Sequence, residues 1–371
     1  MVSRSPRPDY VFLGLTLAIV LLGLLFLSSA SSVVAFQKFH DSYYYLKHQV
    51  LYGLLPGLVL LVVFYHLDYQ HLRKLALPAL IFSIVALMAV FLPGLGFSYN
   101  GARRWLHLGT ALWQPSETIK LVWLVYLAAW LESRGPALRD LKHGFLPFVL
   151  TAGTIIGLIL LQPDLGTMSV VAVSAMVTYF VAGANLWHMT ALGVAGLSGL
   201  WLVIKSLSHS AARLTVFLNP ELDPQGIGYH INQALLAVGS GGFLGLGLGY
   251  SRQKYQYLPE VTGDSIFAVV AEELGFIFTL LFLGLILVWL WRGFRIARRA
   301  PDAFGRYLAV GIVTWLGWQT CINIASMLNL LPLTGVPLPF VSAGGSALMT
   351  ALAASGILAN ISRQASVSRA V

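Results

Sequence analysis

Apolar residues run through this chain in long blocks, separated by short breaks that are polar, basic or rich in glycine. An α-helix rises about 1.5 Å per residue, so about 20 apolar residues cross the ~30 Å hydrocarbon layer of a bilayer. Blocks of that length predict helices over residues 10–30, 48–66, 74–93, 114–132, 144–162, 165–183, 186–205, 265–291, 307–329 and 343–361. Ten spans return the chain to the side on which it started. One connection breaks the pattern: residues 206–264, roughly 59 residues, far exceed the 2–8 residues of ordinary helix links. This connection starts polar, carries Arg213, Glu221, Asp223, Arg252, Lys254, Glu260 and Asp264, and has an apolar, glycine-rich middle at 231–246. A long segment with so many aliphatic and aromatic residues is expected to be structured, to dip into the membrane interface and to carry function.

Composition agrees with the pattern. The 371 residues are 57% hydrophobic and only 10% charged, with a mean hydropathy of +0.78. Soluble domains run near a quarter charged, so a membrane environment explains the chain and a water-soluble fold does not. Arg4 and Arg7 ahead of the first block resemble a signal-peptide start, but the length of that block and the later spans favour an uncleaved first helix. The net charge of +9 does not point to nucleic acid, because the basic residues sit in short clusters between apolar runs rather than in a stripe. Those clusters set the orientation. Fourteen of the 23 lysines and arginines fall on the N-terminal side: Arg4, Arg7, Arg73, Lys74, Arg134, Arg139, Lys142, Arg292, Arg295, Arg298, Arg299, Arg306, Arg363 and Arg369. By the positive-inside rule both termini are then cytoplasmic, and 206–264 is extracytoplasmic. The lone Cys321 excludes an intramolecular disulfide and a cysteine metal cluster.

Nucleotide and metal signatures are missing: there is no Walker A motif, no HExxH and no zinc spacing. The glycine run at 239–249 does not fit G-x-G-x-x-G and follows no predicted strand, so close backbone packing is the better account. Ionisable residues beside the apolar runs carry more information, since charges there cost about 2.5–3.5 kcal/mol each and seek a cavity or a partner. Glu117 and Lys120 lie three apart on one helix face, close enough to pair, and suit structural support of a cavity as well as direct chemistry. Asp164 sits in a sharp turn between two helices, and Glu272 and Glu273 lie inside a predicted helix. Asp264 stands where the long connection enters the eighth helix, between Gly263 and Ser265. A helix cap and a catalytic carboxylate both fit it.

The motifs GARRWLHLG (101–109), WQPSETIK (113–120), LQPDLGT (161–167), FLNPELDPQGIGYHINQALLAVGSGG (217–242), YLPE (257–260), GDSIFAVVAEELG (263–275) and GVPLPFVSAGGS (335–346) follow one another in a recognisable order. Together, over nearly the whole chain, they resemble the SEDS family (shape, elongation, division and sporulation) of RodA and FtsW. SRQKYQYLPE (251–260) and NISRQ (360–364) look more like FtsW. The resemblance implies an all-α integral membrane protein of about ten helices, forming one polytopic domain over residues 1–371. It also implies a peptidoglycan glycosyltransferase that polymerises lipid II, an undecaprenyl-pyrophosphate disaccharide-pentapeptide, at the outer face of the bacterial cytoplasmic membrane. The implied partner is a class B penicillin-binding protein, a transpeptidase, in cell division or elongation. Two departures stand out. Many relatives carry Thr-Asp-Phe where this chain has Gly263, Asp264 and Ser265, and Ser-Tyr-Gly-Gly-Ser where it has Ser342, Ala343, Gly344, Gly345 and Ser346.

Family mechanism puts the essential acid at Asp264, acting as general base on the 4-hydroxyl of the acceptor. The departing pyrophosphate needs cations or a metal. Arg103, Arg104, Lys120 and Arg213 are candidates facing outward, although Arg103 and Arg104 beside Trp105 also suit an interface anchor. Glu117, Asp164, Glu260, Ser342, Gly344, Gly345 and Ser346 complete the expected substrate site. A divalent cation, Mg2+ or Mn2+, is expected near Asp264 or Glu260, with ligands the spacing does not define; no organic cofactor is implied. The lipid tails need a groove, with 231–246 as the expected lateral gate. Two other classes fit parts of the pattern: a flippase for the lipid-linked precursor, using Glu117, Lys120 and Glu272, and a scaffold without chemistry.

Overall fold

A computed structural model describes residues 7–99, 102–109, 111–206, 208–219, 222–223 and 226–367. Arg4, Glu221 and Arg369 of the charge pattern lie outside the described residues. Helices occur at all ten expected blocks. They are α1 (Tyr10–Phe39), α2 (Tyr44–His66), α3 (Gln70–Ala89), α4 (Pro115–Arg134), α5 (Leu141–Leu161), α6 (Leu165–Val181), α7 (Leu186–Ser206), α10 (Ile266–Arg299), α11 (Ala303–Met327) and α12 (Gly345–Val367). Seven of these, α1, α2, α3, α5, α10, α11 and α12, are long and apolar enough to cross a membrane, and α6 is a shorter apolar helix. Short π turns at Val50–Leu54 and Leu141–Phe145 open α2 midway and start α5.

The long connection folds into two further helices, α8 (Ser208–Leu218) and α9 (Ile227–Ser240), and a turn-rich coil over 241–265. One addition to the all-helical expectation lies between α3 and α4: a three-stranded antiparallel sheet of β1 (Gly96–Tyr99), β2 (Ala102–Leu108) and β3 (Ala111–Trp113). Its strands are too short to show a clear alternation among the flanking apolar blocks, so the hydropathy pattern does not announce it.

The helices show why uniform apolarity works here. On α1, Phe12, Ile19 and Phe26 recur at a spacing of seven and are buried, while Leu17, Leu21 and Leu25 are exposed. One face packs on protein and the other presents side chains suited to lipid. The helices α11 and α12 are the most enclosed of the seven candidate spans and form the centre of the bundle.

Helix α10 breaks at Gly275, whose φ of 73° lies in the region open to glycine, and the glycine run docks into the break. Leu246 and Gly247 donate to the carbonyls of Glu272 and Glu273, and Phe276 and Ile277 donate to those of Gly242 and Phe243. A Cβ on Gly245 would stand 2.2 Å from the Glu273 carbonyl oxygen. The run therefore gives close backbone packing, and α9, placed here in full, covers most of the expected gate segment. Below this junction Glu273 pairs with Lys254 at 3.0 Å and accepts from Ser29. Glu272 accepts from the backbone N–H groups of Arg252 and Gln253. Both acidic side chains of the AEELG motif thus fasten the coil 249–256 to the bundle.

Candidate active site

Asp264 ends the coil, and Ser265 occupies the N-cap position of α10 with no side-chain capping bond. The aspartate is therefore not the cap. Its side chain is partly buried, and Oδ1 is shielded from solvent without a hydrogen-bond partner. Burial, then the nearby charge of Glu260, push its pKa up to about 7. Its own backbone N–H, Arg213 and the Ser265 N–H pull the other way. Gly263 leaves space: a Cβ there would meet Glu260 only at ordinary contact distance, 3.6 Å.

The coil connector 328–344, between α11 and α12, runs beside Asp264 and is tied to elements from the whole chain. Asn323 on α11 donates through Nδ2 to both the Asp264 carbonyl and the Val336 carbonyl, each at 2.8 Å. Ser342 donates to the Gly263 carbonyl at 2.7 Å and accepts from the Leu338 N–H. Ala343 donates its N–H to the Thr262 carbonyl at 2.8 Å. Gln49 bridges the Ser342 carbonyl and the Gly344 N–H. Gly335, at φ 70°, turns the connector so close that a Cβ there would lie 3.9 Å from Asp264 Oδ2.

Glu117 and Lys120 do pair, at 2.7 Å, and are only 2% and 1% exposed. Lys120 is thus enclosed rather than outward-facing. It also donates to Gln319 Oε1 at 2.9 Å, and Gln319 in turn donates to the Pro337 carbonyl at 2.9 Å. The buried pair holds the connector through one intermediate side chain. Ser346, in the first turn of α12, accepts from the Gln114 N–H at 3.2 Å. Gly345 packs under Tyr52, where a Cβ would stand 3.0 Å from the Tyr52 carbonyl oxygen.

Charge of both signs gathers around the aspartate. The register of β2 shifts opposite Phe97 and Ser98, so Arg104 is the extra residue of a bulge and is aimed differently from its neighbour Arg103. Arg103 is exposed, while Arg104 is half-buried and donates to the carbonyls of Gln162 and Pro163. Arg104 lies 3.5 Å from Asp164, which caps α6 by accepting from the Thr167 N–H at 3.1 Å. Arg213 on α8 donates to the Leu333 carbonyl at 3.1 Å. Its pKa is lowered first by burial and then by Arg104, against Asp264 and Asp164. Arg104, Asp164, Arg213 and Asp264 thus share one field. Arg103 stands outside it.

Sequence reasoning missed Gln49, His230, Gln319 and Asn323. His230 lies within 2.6 Å of Ser265 Oγ through Nε2. Burial, then Arg213, lowers its pKa to about 4, so it is neutral near pH 7. Gln319 and Asn323, four apart on α11, are uncharged and sit in a helix chosen for apolarity. Their signal was the presence of two amides on one face of such a helix.

Glu260 and Asp264 could supply two carboxylates to Mg2+ or Mn2+, which needs only one or two when phosphate oxygens complete its shell. Among the described residues no group of three or more His, Cys, Asp or Glu is clustered for a metal.

A family model for FtsW, RodA and SpoVE, described as cell cycle protein, matches residues 9–367. The chain is 41% identical to stage V sporulation protein E of Bacillus subtilis, covering 98% of this chain and 99% of that one. It is 38% identical to a probable peptidoglycan glycosyltransferase FtsW of a Geobacter species, covering 95% and 96%. Among solved structures, a chain from work on the structural coordination of polymerization and crosslinking by a peptidoglycan synthase complex superposes with a TM-score of 0.78 at 30% identity, over 96% of this chain and 98% of that one. The rod shape determining protein RodA of Thermus thermophilus superposes with a TM-score of 0.71 at 30% identity, over 96% and 97%.

Proposed function

This chain belongs to the FtsW, RodA and SpoVE family, and on that premise we propose that it is a peptidoglycan glycosyltransferase that extends glycan strands from lipid II, with Asp264 as general base. The observation that carries the reading is the state of Asp264: a partly open carboxylate with one unpartnered oxygen and a pKa raised to about 7, beside Arg213. A base is most effective when its pKa lies near the working pH, and a sugar hydroxyl is too weak an acid to react without one.

In this scheme the acceptor lipid II places its 4-hydroxyl against Asp264. The carboxylate takes the proton as the oxygen attacks the anomeric carbon of the growing strand. The bond from that carbon to the lipid pyrophosphate breaks, its electron pair leaves with the pyrophosphate, and the carbon inverts in a single displacement. Arg213 and Arg104 stabilise the departing charge. Mg2+ or Mn2+ held at Glu260 would add charge neutralisation at the pyrophosphate and leave the Asp264 carboxylate to act as the base. Ser342, Gly344, Gly345 and Ser346 shape the wall beside the base through the connector. Glu117 and Lys120 support it from within, Asp164 positions Arg104, and Arg103 meets the membrane interface. The orientation that serves this chemistry puts both termini in the cytoplasm and Asp264 outside, where a class B penicillin-binding protein crosslinks the product. Asp264, with its Oδ1 unpartnered, stands at one end of the bundle, whereas the pair Glu117–Lys120 is already satisfied, which favours surface chemistry over translocation through the bilayer.

The test is polymerisation of lipid II by the purified protein with its penicillin-binding partner and a divalent cation, read as glycan length on a gel. Polymer from the wild type and none from Asp264→Asn is expected, with the wild-type rate rising as pH passes through about 7. Polymer from both moves the base elsewhere. Failure of a folded wild type with an active partner would overturn the polymerase reading in favour of transport.

A further inference from the structure

We infer that the far end of α10 carries a binding site for the headgroup of an anionic phospholipid. A cleft of about 420 Å³ opens there, lined among the described residues by Trp291, Phe294, Arg295, Arg298 and Arg299, three positive charges and no negative one. It belongs to the end opposite Asp264: from the break at Gly275 to Arg298 the helix runs 23 residues, about 35 Å at 1.5 Å per residue. Arg298 and Arg299 are exposed and Arg295 is half-buried, its guanidinium 5.5 Å from the Trp291 ring centroid. Arg292 turns to the N-cap of α1 and pairs with Asp9 at 3.1 Å. That arginine holds two helices together, and its guanidinium also lies 5.5 Å from the Trp291 ring centroid, so this contact borders the cleft.

The surface leading to the cleft selects a lipid over a soluble anion. Exposed Leu280, Leu281, Leu287, Val288 and Trp291 follow one another at helical spacing, along one stripe of α10. Gly284 falls on the same stripe, and a Cβ there would meet nothing within 4 Å, so the helix surface is notched at that point. From Leu280 to Trp291 the stripe runs about 16 Å, close to the ~15 Å depth of one hydrocarbon leaflet. Trp291 then stands at the level where indole rings prefer the membrane interface, and the arginines lie one to two turns beyond, at headgroup depth. An acyl chain along the stripe delivers its phosphate to the guanidinium groups, which match phosphate geometry with paired donors. A soluble phosphate gains nothing from the apolar stripe.

The experiment is native mass spectrometry of the full chain in detergent, titrated with phosphatidylglycerol, with phosphatidylcholine, and with inorganic phosphate as competitor. Phosphatidylglycerol adducts should exceed those of phosphatidylcholine, and Arg295→Gln with Arg298→Gln should erase the preference, by roughly fivefold for each arginine removed. The Arg295→Lys, Arg298→Lys protein should keep most of it. If the double glutamine variant fails to fold, Arg298→Gln alone, at an exposed position, should show the single-arginine loss. Retention of phosphatidylglycerol unchanged in a folded glutamine variant would overturn the site. Displacement of the lipid by millimolar phosphate would overturn the lipid headgroup as its occupant.

Discussion

Removing the positive charge of Lys120 should cost the fold far more than removing the pair to which it belongs. In Lys120→Met the carboxylate of Glu117 stays in place, 2% exposed, and loses the partner that stood 2.7 Å away. Leaving one member of a buried ion pair uncompensated costs about 3–5 kcal/mol, because the remaining charge keeps its desolvation penalty without its attraction. In Glu117→Leu, Lys120→Met both charges go and the volume stays apolar, a change that is often neutral. The third partner decides how complete the recovery is. Gln319 Oε1 accepts from Lys120 but also from the Trp315 indole N–H at 2.9 Å, and its amide donates to the Pro337 carbonyl at 2.9 Å. Gln319 therefore remains satisfied without Lys120 and continues to hold the connector beside Asp264. The assay is equilibrium unfolding of the three proteins in mixed micelles, paired with lipid II polymerisation. The single variant should lose about 3 kcal/mol or more, with activity falling as folded protein falls. The double variant should regain most of that stability and of the activity. A single variant within about 0.5 kcal/mol of wild type, the range of an ordinary surface change, would refute the burial argument. A double variant that folds but forms no glycan would refute a purely supporting role and assign the pair to the chemistry.

Two further expectations follow from the site. Asp264 has a folded pKa of about 7 against an ordinary 3.8, so the folded state binds more protons between those values and stability falls as pH rises through that window. Asp264→Asn should therefore unfold at a higher temperature than wild type at pH 8, with the gain shrinking toward zero near pH 4. The full shift corresponds to about 4 kcal/mol, an upper value for a side chain partly open to solvent; equal midpoints across the pH range would count against the raised pKa. Asn323→Ala removes two hydrogen bonds that hold the Asp264 and Val336 carbonyls. It should cost about 1–3 kcal/mol and lower kcat more than it raises KM; an unchanged kcat would mean that the connector keeps its place without that amide.

Read alone, the sequence establishes the membrane environment and the helices, because crossing hydrocarbon demands long apolar runs with every backbone group bonded within its own segment. It also marked Asp264, since a carboxylate beside an apolar block is costly and therefore conspicuous. It determined the pairing of Glu117 with Lys120 through their spacing of three, because such pairs are local. What that pair supports emerges from the folded chain, since the link to the connector passes through Gln319 and spans some 200 residues of chain. The same holds for the separation of Arg103 from Arg104. It follows from a bulge in a short sheet that hydropathy does not register. The glycine run became intelligible only against the break at Gly275, where two backbones approach too closely for any side chain. Asn323 and Gln49 escaped a reading based on charge for a related reason. Amides inside apolar helices carry no charge to betray them, and their role lies in carbonyl groups contributed by distant turns, which periodicity along a single helix does not encode.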